Sequence, residues 1–196
     1  MTSRRPIHFR SIQVEAFLRE DGLWDLEASL LDRKSRDFEL ASGTRPAGEA
    51  IHDLRLSVTI DPGFNVVDAR AQTFASPYPG ECSAYGEAYR RLVGLNLARD
   101  FRRQVRECLG GIAGCTHLTE LTDALPTAAF QAFAGEVVPP EDTVSGGADA
   151  GAPLQRPFQL DRCHALRIDG PAVARYYPRW FRDPAQKAAG TDPVTD

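Results

Sequence analysis

The sequence has no long apolar run and no excess of basic residues, and each absence excludes a class of function. Nowhere in its 196 residues do about eighteen apolar residues run together, so no membrane-spanning helix is expected. It holds 23 Lys and Arg against 27 Asp and Glu, a formal net charge of -4, whereas a nucleic-acid footprint usually needs a basic excess. We therefore expect neither nucleic acid nor a membrane as a partner.

The sequence also lacks the motifs that announce common cofactors and catalytic machineries. G-x-G-x-x-G, G-x-x-x-x-G-K-[ST], G-x-S-x-G and H-E-x-x-H are all absent, so no nucleotide cofactor is expected. The N-terminus has no apolar stretch that resembles the core of a signal peptide, which predicts a cytoplasmic protein. Only four cysteines occur, and in that compartment free thiols or metal ligands are favoured over disulfides.

Apolar and polar residues alternate with period two in the first part of the chain, as in strands with one covered face. Two hairpins are predicted, one pairing 12–18 with 23–28 and one pairing 51–60 with 64–69, each across a turn that contains Asp and Gly. A third hairpin is predicted at 158–168 and 173–177.

The period changes to helical spacing in the second half. Leu97, Phe101, Val105 and Leu109 recur every four residues, and a second helix begins near Thr116, with a kink expected at Pro126. The prediction is one α+β domain over 1–182, an antiparallel sheet of about six strands with two or three helices on one face. Residues 135–157 are predicted to be a mobile linker or lid, and 183–196 a disordered tail.

The stretch GGIAGCTHLTEL at 110–121 places a thiol and an imidazole at the start of the second predicted helix. The helix dipole and unpaired N–H groups would favour a thiolate at Cys115, as a nucleophile or a metal ligand. The alternative is a small cysteine that packs under a glycine-rich turn and has no chemical role.

A metal site is one hypothesis for the cysteines and histidines. Zinc or iron would accept ligands drawn from a set of six residues. That set is Cys82, Cys115, His117, Cys163 and His164, with His52 available from the sheet. On a regular strand Cys163 and His164 would point to opposite faces, so one of them at most is expected to join.

A metal-free acid–base site is the competing hypothesis. His52, Asp53, Asp25 and Glu27 could converge with the helical pair His117 and Glu120 where the sheet meets the second helix. Here His117 is the proton shuttle, which His52 and Glu120 orient. The alternative for these helix positions is a solvated polar stripe.

A cluster of arginines is predicted to bind an anionic substrate, because guanidinium groups fork onto carboxylate or phosphate. Its members include Arg90, Arg91 and Arg102. The alternative is a solvated face that is paired with neighbouring acidic residues.

Several segments together resemble a bacterial family catalogued only as a domain of unknown function, over roughly residues 8 to 180. They are GLWDLEASLLDRK, GEAIHDLRLSVTID, YRRLVGLNL, GGIAGCTHLTEL with PTAAFQA, and the downstream CHAL. The resemblance implies a place beside genes for the breakdown of aromatic, steroid or acyl-thioester compounds.

The functional expectation is therefore a small catabolic enzyme for an anionic aromatic or acyl compound. It would act by acid–base or metal-assisted chemistry, as a lyase rather than a hydrolase. The alternative is a non-catalytic metal-binding or partner-docking accessory protein. Self-association into a homo-oligomer stays open.

Overall fold

A computed structural model describes residues 2–78, 80–134, 136, 156–157 and 159–184. The sequence predicts one domain over 1–182, whereas the internal contacts group into two units, Met1–Pro139 and Pro140–Asp196. Most of the predicted linker at 135–157 and of the predicted tail at 183–196 lies outside the described residues. In the described part of the chain, no helix is long and apolar enough to cross a membrane.

The first unit is built on an antiparallel sheet with the strand order β1-β2-β5-β6. Its strands are β1 (His8–Leu18), β2 (Trp24–Lys34), β5 (Ala50–Ile60) and β6 (Val66–Ala75). A separate two-stranded sheet joins β3 (Phe38–Leu40) to β4 (Gly43–Arg45) within the β2–β5 connection. The α+β class and both N-terminal hairpins are confirmed, but the main sheet has four strands, not six.

One face of this sheet carries the core, as the period-two alternation predicts. Alternate residues of β2 and β5 are fully buried, while the residues between them lie on the opposite face. The buried residues of these two strands include Leu26, Leu30, Leu56, Val58 and Ile60.

Helices cover the buried face. A 3₁₀ helix (Ser83–Leu92) contacts β6. Helix α2 (Thr116–Thr122) contacts β2 and β5, and helix α3 (Leu125–Phe133) contacts β1 and β2. The four residues that recur with helical spacing, Leu97, Phe101, Val105 and Leu109, are all buried. Leu97 lies just ahead of α1 (Phe101–Leu109), which holds the other three. Pro126 does not kink one helix; it lies in the first turn of α3, where its missing N–H costs nothing.

The predicted C-terminal hairpin is wrong. The described part of the second unit consists of turns, α4 (Pro171–Tyr176) and a 3₁₀ turn (Pro178–Trp180), with no strand among its described residues. Gly170 and Pro171 explain the error, because proline in the first turn starts a helix as readily as Asp-Gly starts a hairpin. Cys163 and His164 therefore lie in turns, and the strand argument about their directions does not apply.

Candidate active site

A row of polar side chains crosses the buried face where the apolar core ends. The strand register places Arg10 of β1 opposite Asp32 of β2, and Asp32 opposite His52 of β5. In β2 the alternation that buries Leu26, Ala28 and Leu30 continues to Asp32, which is only 2% exposed. The sheet itself thus brings a cation, a carboxylate and an imidazole together.

The Asp32 carboxylate is the centre of this row. Its Oδ1 accepts from His8 Nε2 at 2.9 Å and from Arg10 Nε at 2.8 Å. Its Oδ2 accepts from Arg10 Nη2 at 2.7 Å and from His52 Nδ1 at 2.9 Å. Burial alone would raise the pKa of Asp32, but these bonds, led by that of Arg10, lower its pKa to about 2. Asp32 is therefore an anion near neutral pH.

The charge of Asp32 fixes the tautomer of His52. An ionised carboxylate only accepts hydrogen bonds, so the His52 nitrogen that faces it, Nδ1, must carry a proton. The Nε2 of a neutral His52 then holds the lone pair. A carboxylate that orients an imidazole and stabilises its protonated form is a recurring arrangement for a general base.

His117 of α2 stacks on His52, with the ring centroids 3.8 Å apart and the planes tilted by 33°. Burial, and after it the positive neighbours His52 and Arg10, lowers the pKa of His117 below its usual 6.5. Two imidazolium ions at this separation would repel each other, which is why a positive His52 contributes to the lowered pKa of His117. Glu120 does not orient His117; it accepts from Arg10 Nη1 at 2.7 Å.

Tyr89, which is fully buried in the 3₁₀ helix, fixes the start of α2. The Cys115 N–H donates to the Tyr89 hydroxyl over 3.1 Å, and this hydroxyl lies 2.8 Å from both the Cys115 carbonyl and Thr119 Oγ1. Burial raises the pKa of Tyr89 to about 12, which keeps the hydroxyl protonated. Tyr89 thus anchors the turn from which His117 projects.

Replacing Tyr89 by Phe is expected to destabilise the first unit by about 1–3 kcal/mol, the cost of a buried backbone group that loses its partner. Phenylalanine keeps the ring that fills the core, so the loss of folding stability measures the contribution of the hydroxyl alone. Chemical denaturation would measure it, with Tyr85→Phe as the control because Tyr85 is exposed in the same 3₁₀ helix. An unchanged free energy of unfolding would show that the hydroxyl does not anchor α2.

The glycines of GGIAGC have a structural role. A Cβ at Gly114 would lie 2.5 Å from the Leu109 carbonyl oxygen, and one at Gly110 would lie 2.3 Å from that of Arg106. Gly111 has a φ of +59°, in the left-handed region that glycine favours. These positions let the chain turn sharply from α1 into α2.

A metal ion would need the site to rearrange. Among the described residues one cluster has potential ligand atoms within 4.8 Å of one another, and it consists of Asp32, His52 and His117. The Asp32 oxygens, however, already accept four hydrogen bonds, which fills their usual capacity. Zinc binds in the imidazole plane at about 2.0–2.1 Å. Two rings stacked at a 33° tilt do not aim their lone pairs at a common point so close by, and His117 would have to rotate.

The cysteines of the first unit lie elsewhere. Cys115 is the N-cap of α2, makes no side-chain capping bond, and packs half-buried against the core. The helix that would stabilise a thiolate there has only seven residues. Neither Cys115 nor Cys82 belongs to the cluster of Asp32, His52 and His117 within the described residues. Cys163 and His164 belong to the second unit. A nucleophilic or metal-binding role for these four residues stays a prediction.

The predicted arginines are dispersed. Arg91 donates to the carbonyls of Cys108 and Ala113, and Arg102 donates to that of Asp123. Arg90 lines a cavity of about 640 Å³ together with Asp25 and Glu27. These two acidic residues alternate with the buried residues of β2, so the cavity is on the face opposite His52. The predicted convergence of Asp25 and Glu27 on His117 is therefore wrong.

Sequence reasoning paired His52 with His117 but missed Asp32, Arg10, His8 and Tyr89. A signal for Asp32 existed: in WDLEASLLD the aspartate falls on the same alternation as Trp24, Leu26 and Leu30, a buried position for a charged residue. Extending the strand pairing of the first predicted hairpin away from its turn then places Arg10 opposite Asp32. Nothing local in the sequence signals the bond from Tyr89 to Cys115.

One comparison with known proteins gives a match. A family model described as "Protein of unknown function (DUF2889)" matches residues 8–131, which include β1 to β6 and most of α3. The matched span ends before the CHAL segment at 163–166, which the sequence resemblance had included. No curated protein and no solved structure is found to match the chain.

Proposed function

Because the chain belongs to the DUF2889 family, described as a protein of unknown function, we propose its activity from the site alone: an enzyme that transfers protons through the His52–His117 pair. The observation that carries this proposal is the stacking of two imidazoles, one of which a buried carboxylate orients. A histidine held in this way serves as a general acid or base near neutral pH.

The two rings have complementary roles. His52 Nε2 accepts a proton from the substrate, and Asp32 stabilises the imidazolium that results. His117 is the second acid–base group, because burial makes its protonated form a readier donor than an exposed histidine. One base beside one acid is the requirement of an elimination and of its reverse, so we propose a lyase.

The proposed substrate is a small anionic aromatic or acyl compound of a catabolic pathway. Arg10 supports an anionic group, since its donors to Asp32 and Glu120 leave further guanidinium N–H groups beside the pair, and its side chain is 32% exposed. This Arg10 replaces Arg90, Arg91 and Arg102 as the proposed contact for an anion.

A metal-assisted reaction or an accessory metal-binding protein is the second candidate. The three ligand atoms of Asp32, His52 and His117 within 4.8 Å favour it. Elemental analysis of the purified parent and of His117→Gln tests it directly. A stoichiometric metal that is lost in the variant would replace the metal-free proposal.

We expect NMR titration to give His117 an imidazole pKa below 6.5, and to show that pKa rising when His52 is replaced by Gln. The rise follows from the removal of a positive neighbour, while burial still holds the value below that of a free histidine. Glu107→Gln, which changes an exposed ion pair on α1, is the control. A pKa of His117 that does not respond to His52→Gln would contradict the coupled pair.

The same NMR signals test for a substrate site. Benzoate, cinnamate and crotonate, added in turn, are the probes for an aromatic or acyl carboxylate. At least one is expected to shift the ring signals of both histidines, and the shift should weaken in Arg10→Gln. Signals that respond to none of the three would contradict the proposed substrate class.

A further inference from the structure

The outer edge of β1 is a row of backbone groups that has no partner strand in the part of the chain that the structure describes. No strand of the described residues pairs with β1 on the side away from β2. The Ile7 carbonyl and the Arg19 N–H, at the two ends of β1, both bond toward β2, and the register between them is unbroken. Odd-numbered residues of β1 therefore face β2, and the even-numbered residues present their N–H and C=O groups outward.

The opposite edge of the sheet is covered by the chain itself. Val66 of β6 donates to the Leu95 carbonyl at 2.8 Å and accepts from the Gly94 N–H at 2.9 Å. Further along, the 3₁₀ helix lies so close to β6 that a Cβ on Gly86 would be 2.9 Å from the Ala71 carbonyl oxygen. The β6 edge is thus covered, whereas the β1 edge has no partner strand among the residues that the structure describes.

β1 carries an inward-pointing charge, Arg10, and a second charge, Glu15, but it lacks the other devices that usually protect an edge strand. It has eleven residues and contains no proline, no lysine and no bulge. Phe9 and Phe17 are 56% and 46% exposed on the face opposite the core, and Ile12 is 39% exposed on the core side. A long edge strand of this kind is a template for another strand.

We propose that two copies of this chain pair through β1, antiparallel and about a two-fold axis at Gln13. An axis perpendicular to the sheet keeps the helices of both copies on one face, so even-numbered residues must pair with even-numbered ones. Centring at Gln13 lets all eleven residues, His8 to Leu18, take part. Ile12 then lies opposite Val14 of the second copy, and Phe9 lies opposite Phe17.

The strand is complementary to itself in this register. The apolar pair Ile12–Val14 and the aromatic pair Phe9–Phe17 each occur twice, and cross-strand pairs of these types stabilise sheets. Arg10 meets Ala16 and Glu15 meets Ser11, so no like charges lie opposite each other. Shifting the centre by one residue to Ile12 would place Phe9 against Glu15 and Arg10 against Val14.

The product is a continuous sheet of eight strands, four from each copy. Because the β6 edges at its two ends are covered, the assembly closes at two copies instead of growing into a fibre. Each site row also gains a fixed boundary, since Arg10 lies on the strand that becomes internal. The dimer does not depend on the chemistry proposed for the histidine pair.

Paired charge substitutions test the register in solution. Phe9→Lys with Phe17→Lys places lysine against lysine at both contacts, whereas Phe9→Lys with Phe17→Glu places lysine against glutamate. Within one strand these positions are about 27 Å apart, so the two variants differ only across the interface. Sedimentation equilibrium of the full chain should find a dimer for the parent and the Lys/Glu variant and a monomer for the Lys/Lys variant.

A cysteine trap tests the same axis by a second route. Cysteines that replace Gln13 lie directly opposite each other in a non-hydrogen-bonded pair, the closest cross-strand position. Mild oxidation of Gln13→Cys should give a dimer that reductant reverses, with residue 13 on both linked peptides. Glu15→Cys is the matched control, because it faces Ser11 and has no partner thiol.

Three results would overturn the proposal. A parent that stays monomeric at about 100 μM would show that two copies do not associate through β1 at that concentration. If the Lys/Lys and Lys/Glu variants have the same oligomeric state, residues 9 and 17 of the two copies do not lie opposite each other. Failure of Gln13→Cys to cross-link, in protein that is folded by circular dichroism, removes the two-fold axis at that residue.

Discussion

Replacing Asp32 by Asn is expected to cost about 2 kcal/mol of folding stability near pH 6 and to remove most of the acid sensitivity that this site confers. The pKa of Asp32 is lowered from 3.8 to about 2 in the folded protein, and each unit corresponds to about 1.4 kcal/mol. Asn keeps the shape of the side chain but cannot carry the charge to which Arg10 and the two histidines donate.

The direction of the pH dependence follows from that lowered pKa. Above pH 4 the carboxylate is ionised in both the folded and the unfolded chain, so its full stabilisation is present. Below pH 4 the unfolded chain takes up the proton first, and the stabilisation is lost as the pH falls through about 2. The parent and Asp32→Asn should therefore differ most above pH 4 and converge near pH 2.

Urea denaturation of both proteins at several values between pH 2 and pH 6 would measure this convergence. The matched control is Asp68→Asn, since Asp68 also pairs with an arginine, but it is only half-buried on β6 and its partner Arg70 is 75% exposed. Its free energy of unfolding should change by less than about 1 kcal/mol at every pH. A constant difference between Asp32→Asn and the parent across the range would mean that the charge of Asp32 does not stabilise the fold.

The main sheet was predictable because its determinants are local. Turn residues at 20–22 and 61–63 fix the two hairpins, and period-two alternation decides which face is buried. The two strands predicted beyond the observed four belong to the C-terminal segment. There Asp169-Gly170 indicates a turn, whereas Pro171 begins α4. Competing local signals of similar strength cannot be resolved without the tertiary contacts.

The candidate site was predictable only in part because its members meet through long-range packing. His52 and His117 are drawn together by the way α2 lies across β2 and β5, which no spacing in the sequence encodes. The cysteines are candidates in the sequence because they are scarce, although Cys115 packs against the core. The more informative feature was a charged residue, Asp32, at a position where the strand pattern requires an apolar one.

Replacing His117 by Gln is expected to lower kcat by about 10²- to 10⁴-fold on a substrate found by the ligand screen, the usual contribution of a positioned acid or base. Glutamine preserves polarity and much of the volume beside His52, so the fold should persist. In the parent, the step in which protonated His117 donates its proton should weaken as the pH rises through its lowered pKa, below 6.5. That limb of the pH profile should change shape in the variant.

The matched control for this substitution is His164→Gln, because the acid–base proposal gives His164 no role whereas the metal set predicted from the sequence does. Full activity of His164→Gln together with a large loss in His117→Gln would support proton transfer by the stacked pair. Comparable losses in both variants, accompanied by loss of a bound metal, would instead favour coordination. An unchanged kcat in His117→Gln would remove His117 from the chemistry and leave the Asp32–His52 pair as the sole candidate base, because the bond from Asp32 to His52 does not involve His117.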